Sequence, residues 1–202
     1  MAQRNPSMTK GERTRQALLD AAIARFGRDG YRGTSVAEVA RDARLSGTAA
    51  YVYFPNKEAL FLAAVDEDAA AVVDEGLASL TDAVDLDHWR GTLIFTLLSA
   101  LDRHPLARRV LTGLEPEFTV RLITIPALEQ LRKECGERIR AQQLAGQVRT
   151  NIDAQQIANG LVTIVLSLLM SLLQTGTDPA TLLGADVADV AAVVEAALSP
   201  PR

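Results

Sequence analysis

Cysteine is almost absent from this 202-residue chain: Cys135 stands alone. That excludes an intramolecular disulfide framework and a cysteine-rich zinc site, and it points to a reducing cytosol. Cys135 itself reads as a small packed hydrophobe. Two histidines, His88 and His104, leave a multi-histidine metal centre equally hard to assemble. There is no phosphate loop and no nucleophile elbow, and His88 with Asp85 or Asp87 is too common a grouping to support catalysis, so neither an enzyme nor a cofactor is expected. Residues Met1 to Gly11 are polar and lack the apolar core of an export signal. The most apolar stretch, Leu161 to Leu173, falls short of the ~20 residues that span a bilayer, so it is expected to be a buried helix and no membrane partner is expected. Alternating strand-like runs are missing as well, and the expected class is all-α.

Charge is present but unevenly placed. The net charge of -4 argues at first against a polyanionic partner. Residues 1–60, however, carry +4 and residues 61–202 carry -8. A basic module joined to an acidic one is the pattern of a chain whose first part meets a polyanion while the second does something else. Aromatics are sparse at 4%, yet six of the nine fall between Phe26 and Phe61. The division into modules is placed at residue 60, on a long helix.

Helical periodicity locates the elements. Leu18, Leu19, Ala22, Ile23 and Phe26 predict a first helix over Thr9 to Arg28, closed by Gly30. Ser35 with Glu38 forms a capping-box spacing for a short second helix that ends near Ala43. A third short helix opens at Ser46 or Gly47 and runs to Phe54, where Pro55 stops it. Asn56 is a cap for the long fourth helix, striped by Leu60, Phe61, Ala64, Val65, Val72, Val73 and Leu80. Asp85 or Asp87 starts a fifth helix that stops before His104-Pro105, and a broken helical region follows as far as Gly146. Two more helices, Asp153 to Thr175 and Val187 to Leu198, flank the turn-rich Gly176 to Pro179.

A stabilising helix followed by two short ones joined by a tight turn describes a helix-turn-helix, whose second short helix enters the major groove. Thr34 and Ser35 place hydroxyls and N–H groups at a helix N-terminus, which favours a phosphate. Tyr51, Tyr53 and Lys57 follow the recognition helix and are positioned for phosphates across the groove. Core packing is the ordinary reading of aromatics at this spacing; it is adopted for Phe54, and DNA contact is favoured for Tyr51 and Tyr53.

The run Thr34-Ser35-Val36-Ala37-Glu38-Val39-Ala40, then Leu45 through Leu60 with its Tyr51-Val52-Tyr53-Phe54-Pro55-Asn56-Lys57-Glu58-Ala59-Leu60 ending, resembles the N-terminal domain of the tetracycline-repressor (TetR) family. The resemblance covers residues 10–65. It implies a homodimer on double-stranded DNA with a two-fold operator, controlled by a small apolar or amphipathic effector in the C-terminal module. Three positions depart from the family pattern. Arg44 sits in the turn where glycine is frequent, and a left-handed backbone there costs Arg about 1 kcal/mol relative to Gly. Gly47 occupies a place that often holds a polar base reader, and Val52 one that is often polar or aromatic. No Arg, Lys, Asn or Gln lies between Ser46 and Pro55, so strong bidentate base contacts are missing. Base contacts are therefore expected from Thr48 and from Ala49 or Val52 on thymine methyls, with Arg44 or the arm from Lys10 to Arg15 assisting, and DNA shape carrying the remainder.

In the second module, Thr163, Ser167 and Ser171 recur along an otherwise apolar helix. Leu168 and Leu172 beside them, with Val190 and Val194 on the last helix, are the expected subunit interface, as the resemblance independently implies. Pocket lining is the rival role for Thr163 and Ser167. The row His88, Thr92, Thr96 beside Trp89 and Phe95 reads as a solvated face or as the polar groups of an apolar cavity completed by Phe118, Leu122, Leu128 and Met170. A helical interaction module without operator binding remains the alternative function.

Overall fold

The computed structural model describes residues 8–82, 89–175 and 186–200, with the side chains of 81, 82, 175 and 186–191 outside that description. Regular structure among the described residues is entirely helical, as expected. Helix α1 (Lys10–Gly33) begins in a reciprocal cap: the Glu12 N–H donates to the Thr9 hydroxyl at 3.2 Å, and the Thr9 N–H donates to the Glu12 carboxylate at 2.6 Å. The helix does not end at Arg28. It continues to Gly33 through a kink at Gly30 (φ 78°, ψ 173°), where the Glu115 carboxylate accepts the Tyr31 N–H at 3.0 Å. A partner 84 residues away thus satisfies a donor that the broken helix leaves without a carbonyl.

Helix α2 (Val36–Asp42) carries the expected Ser35–Glu38 capping box, and α3 (Gly47–Tyr53) is capped by Ser46, whose hydroxyl accepts the Ala49 N–H. Between them Arg44 is left-handed, at φ 60°. The Leu45 N–H donates to the Ala40 carbonyl at 2.8 Å and the Arg44 N–H to the Arg41 carbonyl at 3.0 Å, the Schellman arrangement that usually employs glycine. Gly47 comes within ordinary contact of Ala37, so the two short helices meet closely.

Helix α4 (Lys57–Asp82), capped by Asn56, runs without a break through residue 60. Its buried Leu60, Phe61, Ala64 and Val65 face α1, whose Leu18, Leu19, Ala22 and Phe26 are equally buried. Farther along, α4 packs against α5 (Trp89–Ala100), α6 (Pro105–Leu111) and α8 (Pro126–Leu144). A 3-10 turn (Pro116–Phe118) and α7 (Thr119–Leu122) separate α6 from α8, and α9 (Ala154–Thr175) and α10 (Asp186–Leu198) complete the chain. The expected start of α5 at Asp85 or Asp87 and the turn at Gly176 to Pro179 lie outside the described residues.

Two joints tie α1 to the second half. Asp68 of α4, buried, caps α6 from a distance: its Oδ2 accepts the Leu106 and Ala107 N–H groups at 2.9 and 2.8 Å, and its Oδ1 lies 2.8 Å from His104 Nδ1. These bonds offset the cost of burying a carboxylate and fix α6. Pro105 then sits against α1 so closely that a Cβ at Gly27 would lie 2.9 Å from it. The second joint is aromatic. Phe118 reaches back to Tyr31 (ring centroids 4.9 Å apart) and Phe61 (4.4 Å), which also packs on Phe26.

Helix α9 corrects one expectation. All of its 22 residues are uncharged, not only the 13 from Leu161 to Leu173, so it is long and apolar enough by length and composition to cross a membrane. Here one side of it packs against α8.

Candidate nucleic-acid interface and ligand cavity

Helix α3 turns one face outward. Thr48, Tyr51 and Val52, spaced i, i+3, i+4, are exposed, with Val52 80% accessible, whereas Ala50 is buried against the core. Ser46 is exposed, Ala49 half-buried, and Tyr53 packs partly into the core, so the two tyrosines do not share a surface. Ser35 is exposed but its hydroxyl is engaged with Glu38. Thr34 is buried and its Oγ1 has no partner, so in this conformation its hydroxyl is turned away from solvent.

The cations sort themselves by pairing. Arg25 binds Asp42 at 2.6 Å and lies near Glu38 and Asp29, Arg28 binds Asp29, and Arg32 reaches Glu117 at 2.8 Å. Asp42 and Asp29 are held below the usual carboxylate range by hydrogen bonds from Arg25 and Arg28, and Glu38 chiefly by Ser35. Lys10, Arg13, Arg15, Arg41 and Arg44 have no ion pair among the described residues. The basic excess of the first 60 residues is thus concentrated on the start of α1 and on the α2–α3 turn. Arg15 lies 5.2 Å from the Phe54 ring and Lys57 Nζ 4.5 Å from the Tyr31 ring, which places Lys57 beside the joint between the two halves.

The second half encloses a cavity of about 330 Å³ bounded by α4 to α10. Of the expected lining residues, Trp89, Leu122 and Leu128 are there. Thr92, Phe95, Thr96, Phe118 and Met170 are not, and His88 lies outside the described residues. The correction has a simple cause. Leu93, Ile94 and Leu97 turn one side of α5 inward, which carries the polar row to other sides, where Phe95 is 64% exposed; Phe118 is drawn to Tyr31 and Phe61. Three polar residues that helical periodicity did not single out, Arg90, Gln142 and Glu195, stand at this cavity. Arg90 and Glu195 line the cavity, and Gln142 bonds Arg90 at 3.1 Å and Trp89 at 3.3 Å. A signal existed for Gln142, which continues the buried stripe Leu128, Leu131, Cys135, Ile139 along α8 as a lone polar member.

The expected interface residues divide. Thr163, Ser167 and Ser171 are exposed; Thr163 and Ser167 bond their hydroxyls back to carbonyls four residues earlier. Neither lines the cavity. Leu172 is buried within its own subunit, and Leu168 and Val194 line the cavity, as does the partly exposed Ile164; Val193 of α10 is exposed and is not part of that lining. The side chain of Val190 lies outside the description.

An exposed recognition-type helix on a three-helix head, joined through α4 to a helical body with an apolar cavity, is the architecture of a helix-turn-helix DNA-binding regulator. Residues 18–64 match the family model described as bacterial regulatory proteins, tetR family. The chain is 29% identical to the HTH-type transcriptional repressor AcnR of Corynebacterium jeikeium, with 91% of each covered. It superposes on the crystal structure of a TetR-family transcriptional regulator from Pectobacterium atrosepticum with a TM-score of 0.75 at 22% identity, covering 96% of this chain and 100% of that one. With the regulator FadR of Bacillus subtilis, solved in complex with stearoyl-CoA, the TM-score is 0.63 at 15% identity, over 90% and 95% of the two chains. Residues 18–64 thus carry a DNA-binding domain of the tetR type, and over most of its length the chain is similar to HTH-type transcriptional regulators.

Proposed function

We propose that this regulator is a cytoplasmic, homodimeric repressor released from a two-fold operator when a small apolar or amphipathic effector fills the cavity. Residues 1–60 serve as the DNA-binding module and 61–202 as the effector and dimerisation module. The observation that carries this reading is that the cavity and the DNA-binding head share one unbroken helix, α4, with Val72 and Val73 on the cavity wall and Leu60 and Phe61 in the core of the head. A change in α4 is therefore felt at both ends.

Thr48 and Val52, with Ala49 at their side, are assigned to base edges, and Ser46, Gly47 and Tyr51 to the groove walls. Arg44 and the arm from Lys10 to Arg15 supply cationic contact. Ser35 at the head of α2, with Tyr53 and Lys57, completes the phosphate clamp, while the buried Thr34 supports the start of α2 from within. The exposed row Thr163, Ser167, Ser171 on α9, with Val193 on α10, forms the subunit contact, because small side chains let helices approach closely. The stearoyl-CoA held by FadR of Bacillus subtilis, which has a similar fold, supports an effector with a long apolar part.

Fluorescence anisotropy with DNA flanking the chain's own gene, at several salt concentrations, tests the regulator. Sequence-selective binding whose affinity falls with salt is expected. Absence of any selective complex at low salt overturns operator binding and favours the interaction module. Sedimentation of Val193→Glu, exposed and outside the cavity lining, tests the dimer: the wild type is expected to sediment as a dimer and the variant as a monomer.

A further inference from the structure

We infer that the effector is a single-tailed amphiphile with an anionic head, and that its head takes Arg90 from Glu195. The inference rests on the cavity reading above and adds the ligand's charge. Among the described residues lining the cavity, Arg90 is the one cation and Glu195 the one anion; the remaining lining is almost wholly aliphatic. Even Cys135 adds no charge, since burial pushes its thiol up to about 12. Such walls select an apolar body and leave recognition of a polar end to Arg90.

Arg90 is held ready for that task. Its guanidinium lies 5.4 Å from the Trp89 ring centroid, and its Nη1 donates to Gln142 Oε1 at 3.1 Å. Gln142 is 2% exposed and also accepts from Trp89 Nε1, so the platform beneath Arg90 is buried. By contrast, the carboxylate that Arg90 meets is exposed. Glu195 contributes one oxygen at 3.3 Å from Nη2, with its side chain 68% accessible.

An exposed, single-oxygen ion pair is weak, whereas a carboxylate or similar anion brought in by a buried tail meets the guanidinium in a less watery setting and in two-point geometry. A neutral ligand has no use for this cation, and a cationic one is opposed by it. The exchange also frees Glu195 of α10, the helix that bears the exposed Val193, so head binding is communicated to the surface assigned to the partner subunit.

The test compares dodecanoate with 1-dodecanol, both below their aggregation limits at pH 8, titrated calorimetrically into the full chain. The wild type is expected to bind dodecanoate about tenfold more tightly. Arg90→Gln erases that preference, Arg90→Lys restores part of it, and Glu195→Gln widens it about threefold in favour of dodecanoate. Equal affinities in the wild type, or a preference that survives Arg90→Gln, overturn the headgroup assignment while leaving an apolar cavity standing. If neither compound binds, both the headgroup assignment and the effector reading of the cavity fail. Should Arg90→Gln not fold, the Glu195→Gln arm decides: no widening of the preference overturns the exchange.

Discussion

Replacing Gly30 by alanine is expected to unfold the joint between the two halves. Gly30 has φ 78° and ψ 173°, a region that essentially only glycine occupies, and forcing another residue into it costs about 1–3 kcal/mol. The added Cβ would lie 2.5 Å from Arg109 Nη2 and 2.7 Å from Glu115 Oε1. Those side chains cannot simply step aside. Glu115 is 7% exposed, accepts Arg109 Nε at 2.7 Å and holds the Tyr31 N–H at 3.0 Å. Losing one such charge-assisted bond at a buried site adds about 1.5–3 kcal/mol. The combined loss is about 3–5 kcal/mol, a large part of the stability of an ordinary domain. Urea denaturation followed by circular dichroism reads it directly. Gly91→Ala is the matched control: Gly91 lies in α5 and nothing stands within 4 Å of its would-be Cβ, so alanine there gains about 0.5–1 kcal/mol. If Gly30→Ala loses less than about 1 kcal/mol while Gly91→Ala gains as expected, the kink relaxes freely and the reasoning about the joint is wrong.

Arg44→Gly relieves the left-handed backbone at φ 60° and should raise stability by about 1 kcal/mol while weakening operator binding; denaturation and anisotropy on the same variant check both, and unchanged DNA affinity would remove Arg44 from the interface. Glu75, lowered chiefly by the Arg103 hydrogen bond, and Asp42, lowered chiefly by Arg25, have folded-state pKa values below their ordinary 4.5 and 3.8. Their stabilisation is therefore present above those values and is lost as pH falls through the lowered ones. Thermal melts from pH 6 to 3 should drop steeply, and Glu75→Gln should flatten the slope; an unchanged slope counts against the pair. Cys135, 2% exposed with its thiol pushed up to about 12, should resist iodoacetamide at pH 8 until the chain is unfolded; rapid alkylation of the native protein would contradict this.

Much of the head was legible because its signals are local. Capping boxes at Thr9 and Ser35, the Asn56 cap, and Pro55 each act over three or four residues, which is the range on which a sequence can be read directly. The strain at Arg44 was likewise visible as a turn position lacking its usual glycine. The exposed Thr48, Tyr51 and Val52 follow from helical spacing once the buried Ala50 is known. Thr34 shows the limit: its place at a helix start was evident, but its burial is set by packing against the rest of the head.

The second half was harder because α5 and α9 are apolar nearly all round, so periodicity does not tell inward from outward. The chain by itself determined an all-helical protein, a basic head with a helix-turn-helix, and an acidic body. Only the tertiary structure decided which sides of α5 and α9 meet the cavity, that Leu172 is buried while Val193 is exposed, and that Arg90 and Gln142 meet across 52 residues. Caps and turns are fixed by neighbours in the chain, whereas a cavity wall is fixed by whichever distant helices leave room for it.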